Sequence, residues 1–141
     1  MTDPAASPLG PGRFARAYAA ALVVFLAIDA VWLGVVARDF FATRLAHLLR
    51  PEVDYLAALA FYALFVAGIV HFGTRPGVAR GSARVAAVNG GFLGALAYAA
   101  YDLTNLATLP DWPLAVVVVD ITWGALLSAV SAVAGWWVAR R

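Results

Sequence analysis

Apolar positions gather into four long stretches, at residues 16–37, 55–72, 85–107 and 113–139, with polar and turn-forming residues between them. At a rise of 1.5 Å per residue, each stretch is long enough for a helix that crosses ~30 Å of hydrocarbon. The pattern predicts an all-α, polytopic membrane protein with four transmembrane helices. In the connection 38–54, Phe41, Leu45, Leu48 and Leu49 recur at helical spacing opposite Arg44 and His47. That spacing predicts a short interfacial helix between helices one and two, ended by Pro51. Residues 73–84 read as a basic turn and 108–113 as a tight turn, with Pro113 suited to the first turn of the last helix. Residues 1–12, rich in Pro, Gly and small side chains, read as a disordered tail ahead of a four-helix domain over 13–141. The first apolar stretch is too long for a signal peptide and contains Asp29, so it reads as a span.

Charge gives the bundle an orientation. All ten basic residues are arginine. Four spans put Arg13, Arg16, Arg75, Arg80, Arg84, Arg140 and Arg141 on one side and Arg38, Arg44 and Arg50 on the other. Seven against three predicts that both termini are cytoplasmic. Only 13% of the residues are charged and 64% are hydrophobic, which fits a chain whose surface meets lipid. There is no cysteine and no lysine, which excludes disulfides, thiolate chemistry and a lysine Schiff base. The arginines are scattered at helix ends, so no nucleic-acid surface is expected.

Three acids break the apolar stretches: Asp29, Asp102 and Asp120. A carboxyl at a helix centre costs about 2.5–3.5 kcal/mol on insertion scales, so such residues mark a functional site or a polar clamp. Counting helical rise from the outer helix ends places them roughly 12, 8 and 10 Å deep, close to one level in the outer half of the membrane. Tyr98, Asp102 and Asn105 share a face of helix three, flanked by Tyr101 and Thr104. Trp32 follows Asp29 by three residues and Trp123 follows Asp120 by three. Because helices one and four run in opposite directions, each indole N–H is placed to donate to the opposite carboxyl. No arginine lies at this depth, so a carboxyl there is expected to be protonated, to share a proton, or to hold a cation.

Other features read as structure. Gly90, Gly91 and Gly94 on helix three, and Gly124, Ser128, Ser131 and Gly135 on helix four, are close-packing positions. Trp136 and Trp137 read as interface anchors. His47 with Asp39, Glu52 and Asp54 matches no ligand spacing, and His71 is isolated, so no metal site and no cofactor are expected.

The strings Phe25-Leu-Ala-Ile-Asp29-Ala-Val-Trp-Leu-Gly34, Tyr101-Asp-Leu-Thr-Asn105 and Val118-Val-Asp120-Ile-Thr-Trp-Gly124, with the Trp112-Pro113 turn, resemble the small bacterial membrane proteins of domain of unknown function family 2177. The resemblance covers nearly all of the chain after the tail. It implies a multi-pass protein of the bacterial inner membrane and no particular activity.

Three functions compete. The first is a site that binds, or helps modify, a membrane lipid or small molecule, with Asp102, Asp120 and then Asp29 as candidate acid–base groups. Trp32, Tyr98, Tyr101, Asn105 and Trp123 would shape that site. The second is a proton- or cation-coupled transporter, which four helices would need a homo-oligomer to build. The third is a structural subunit with the aspartates as clamps. Below the acids, helices three and four are mainly Ala, Gly, Leu and Val, which fits a one-sided cup better than a channel.

Overall fold

The computed structural model describes residues 9–141, and these are helical with no strand among them. Helix α1 (Pro11–Val31) starts on a proline in its first turn, where a missing N–H costs nothing, and runs into a π turn at Trp32–Val36. A short helix, α2 (Arg38–Arg44), does lie in the first connection, but it stops at Arg44 and leaves Leu45, Leu48 and Leu49 in the turn before Pro51. Helix α3 (Tyr55–Ile69) begins where the Asp54 carboxylate accepts from the Ala57 N–H at 3.0 Å. A second π turn (Val70–Thr74) carries it into α4 (Arg75–Ala79). Helix α5 (Ala83–Thr108) is capped by Ser82, and α6 (Leu114–Ala139) follows Pro113.

Some boundaries differ from the sequence reading. The expected tail 1–12 lies partly outside the described residues, and Pro11 and Gly12 already belong to α1. The expected basic turn 73–84 is helical as far as Ala79 and shrinks to Arg80–Ser82, with Gly81 at φ +59°. Pro76 does not stop this helix because it sits in the first turn of α4, just after the wide turn. The Thr74 hydroxyl, fully buried, donates to the Ala132 carbonyl at 2.9 Å and fastens the segment to α6.

Three helical stretches are long and apolar enough to cross a membrane: Pro11–Val36, Tyr55–Ala79 and Leu114–Ala139. Four were expected. Helix α5 equals α6 in length at 26 residues, but Arg84, Asn89 and Asp102 hold its apolarity below that of the others.

The centre of the bundle is the antiparallel α5–α6 pair. Gly90 and Gly94 sit one turn apart on α5 and meet Gly124, Ser128 and Ala132 on α6. A Cβ at Gly90 would stand 2.8 Å from the Ser128 carbonyl oxygen, so the backbones touch because no side chain intervenes. Helix α1 packs on α6 through the buried stripe Ala17, Ala21, Phe25 and Asp29, spaced by four residues. The Arg13 guanidinium donates to the Ala139 carbonyl at 2.6 and 2.9 Å, satisfying the free end of α6. Phe65, Val66, Ile69 and Val70 from the α3 segment complete the core.

Candidate functional site

Asp29 ends the buried stripe of α1 and is 5% exposed. Its two oxygens are both used. One accepts from the Tyr62 hydroxyl of α3 at 2.8 Å, and the other accepts from the Trp123 indole N–H of α6 at 3.1 Å. Phe25 meets the Tyr62 ring edge-on at 5.7 Å and fixes its position from below. Trp32 stacks on Trp123 with ring centres 4.2 Å apart and planes 12° from parallel. One carboxyl therefore ties three helices together.

Asp102 and Asp120 are placed by a different rule, the four-residue spacing along the α5–α6 seam. On α5 the line runs Gly90, Gly94, Tyr98, Asp102; on α6 it runs Ala132, Ser128, Gly124, Asp120. Glycine lies against Gly124 and Ser128 in the middle, and the Tyr98 ring covers Gly124 one turn further out. The next turn brings the two carboxyl groups face to face. Asp102 is fully buried, and neither of its oxygens has a hydrogen-bond partner. Its polar neighbours are Asp120 and the indole of Trp112, which comes from the α5–α6 turn. The Trp112 N–H is also buried and unpartnered, with the residue 7% exposed. An unmet buried polar group typically costs about 1–3 kcal/mol, so this end of the seam is held together by the packing below it.

Asp120 forms one wall of a cavity of about 340 Å³, completed by Phe61, Ala97, Tyr98 and Tyr101. The cavity opens sideways, between α3 and α5. It exists because α3 stands away from the bundle before Phe65, leaving Tyr55, Leu56 and Leu64 more than 70% exposed. The end of the bundle at the 38–54 and 108–113 connections is closed instead. There Leu45 and Trp112 bury themselves with Val116 and Val117, and Phe40, Phe41 and Ile121 pack over them. Tyr101 meets Trp112 edge-on at 5.7 Å and joins this lid to the cavity wall. Below the acids the glycine seam is shut.

The expected residues thus fall into two groups. Asp29, Trp32 and Trp123 form one, while Asp102, Asp120, Tyr98 and Tyr101 form the other. The expected crossed indole–carboxyl bonds form once only. Trp123 reaches Asp29, whereas the Trp32 N–H is buried without a partner and its ring stacks. Asn105 lies beside Tyr101 and makes no bond to Asp102. Sequence reasoning missed Tyr62, Trp112 and Phe61. Tyr62 is the one hydroxyl between Leu56 and Gly73, and that isolation was a usable signal. Phe61 carries none, since a phenylalanine in a lipid-facing helix is ordinary. No group of three metal-ligating side chains is present among the described residues.

The chain belongs to the family described as "Predicted membrane protein (DUF2177)", which it matches over residues 14–137. No curated protein and no solved structure matches it.

Proposed function

We propose that the protein crosses the bacterial inner membrane four times, with both termini in the cytoplasm, and binds a lipid or small amphiphile at Asp102 and Asp120 in the outer half of the membrane. The seven-to-three arginine bias supports the orientation. Helix α5 is the fourth span in this reading. Its Asp102 is turned into the protein, and its glycines are paired with α6, so its polar groups are kept from lipid.

One observation carries the binding reading: a fully buried carboxyl without partners lies behind a second carboxyl that lines a lateral cavity. Buried polar groups in proteins are almost always hydrogen-bonded, so an exception calls for a reason, and a bond supplied by a ligand is one. The sideways opening suits a molecule arriving through the membrane. If the protein also carries out chemistry, Asp102 and Asp120 are the acid–base pair.

Native mass spectrometry of protein released from gentle detergent tests this. Wild type retains a defined small molecule or lipid, and Asp120→Asn loses it. Retention of the same molecule by Asp120→Asn and by a cavity-filling Phe61→Trp variant would place it elsewhere. A transporter would instead carry a proton or cation current in liposomes that Asp102→Asn abolishes. The shut glycine seam below the acids speaks against that result. For Asp29 the clamp reading is favoured, because both of its oxygens are already occupied.

A further inference from the structure

We infer that the Asp102–Asp120 site receives the protonated amine of an amphiphile whose apolar chain lies between α3 and α5. This rests on the binding reading above and names the chemistry of the bound end. The site lacks positive charge, and the donors on its wall are two phenols, Tyr98 and Tyr101. The one ion pair among the described residues is Arg50 with Asp54, in the outer loop. The donors nearest in depth, Tyr62 and Trp123, are spent on Asp29. Beside those two hydroxyls stand the pair of carboxyl groups and an unpartnered indole N–H on Trp112, next to Asp102.

An ammonium group brings three N–H donors and one positive charge to that arrangement. A phosphate or carboxylate end would bring negative charge to two carboxyl groups with no cation on the cavity wall to offset it. An alcohol brings one donor without charge. The walls agree with a cation: Phe61, Tyr98 and Tyr101 line the cavity, and aromatic ring faces attract ammonium groups. At about 340 Å³ the cavity accepts a small head with the start of a chain, and α3 and α5 carry exposed leucines, Leu56, Leu64 and Leu96, for the rest of the chain to lie against.

The experiment titrates decylamine, decanol and decanoate into the full chain in nonionic detergent, following tryptophan fluorescence and the midpoint of heat unfolding. Decylamine is expected to saturate and to bind roughly tenfold more tightly than decanol, the gain of one charge-assisted hydrogen bond. Decanoate is expected not to saturate. Asp120→Asn should reduce decylamine binding to the level of decanol. Phe61→Trp, at a lipid-facing position, should weaken the amine and the alcohol together while leaving the fold intact. Equal binding of amine and alcohol by wild type, or an amine preference surviving in Asp120→Asn, overturns the amine inference and leaves the cleft as a binding site. Saturable binding by none of the three probes removes the binding reading as well.

Discussion

Asp29 and Asp102 occupy similar levels on two helices that run in the same direction, α1 and α5, both almost wholly buried, and they differ in one respect. Asp29 has a donor for each oxygen, whereas Asp102 has none. The first joins α1, α3 and α6. The second is held in place by a glycine seam that would pack as well without it. Burial of a carboxyl in a membrane protein is therefore not one signal but two, and only the inventory of partners separates a clamp from a site. The contrast also explains why the acids beside the cavity keep no partner from α1 or α3. The donors of α3 and α6 are directed toward Asp29, so the other two acids are left to each other.

The largest effect that would break this contrast comes from the seam. In Gly124→Val the added methyl groups meet the Tyr98 ring, so the α5–α6 pair must separate at the level of the acids. Overpacking of this kind costs about 1–3 kcal/mol. We expect a loss near the upper end, with ligand retention abolished, measured by reversible denaturant unfolding in mixed micelles. Retention at wild-type stability would show that the seam does not position the acids.

Next is Asp29→Leu, which leaves the Tyr62 hydroxyl and the Trp123 N–H without acceptors. A destabilisation of about 2 kcal/mol is expected, above the ~0.6 kcal/mol average of a single interhelical bond, because two buried donors are stranded at once. The same unfolding assay reads it. Tyr62→Phe removes one donor and keeps the ring against Phe25, so it should cost about 0.6 kcal/mol. A double-mutant cycle with Asp29→Leu should show the two effects coupled rather than additive.

Smallest in stability, and sharpest for the comparison, is Asp102→Asn. It breaks no hydrogen bond in the ligand-free protein, so unfolding should change by less than about 0.5 kcal/mol or shift toward greater stability. A loss as large as that of Asp29→Leu would make Asp102 a second clamp.

Much of this was legible along the chain. The spacing of four between Ala17, Ala21, Phe25 and Asp29 already marks a buried face, and the small residues at Gly90, Gly94, Gly124 and Ser128 already mark a close helix pair. The nearly equal depths of the three acids follow from helical rise alone. What was hidden depends on local departures from that rise. The π turn beginning at Trp32 breaks the extrapolation that aimed its N–H at Asp120. The π turn at Val70–Thr74 carries the chain through a Gly–Thr–Arg–Pro sequence that has every mark of a loop. The closed end was hidden for another reason. It is made by Leu45 and Trp112 from two separate connections, and no periodicity relates one connection to another. Asp111 in the second of these adopts φ 58°, a conformation that Asp tolerates better than most side chains but that sequence alone does not announce.

The clasp between Arg13 and the Ala139 carbonyl has a consequence for biosynthesis. It spans 126 residues of sequence, and the bond from Trp123 to Asp29 spans 94. Neither can form until the last helix has left the ribosome. Throughout translation of the later helices α1 waits with its carboxyl unmet, and the bundle closes after synthesis rather than helix by helix. A chain truncated before residue 114 should therefore be cleared by proteases in the cell even though its earlier spans are intact.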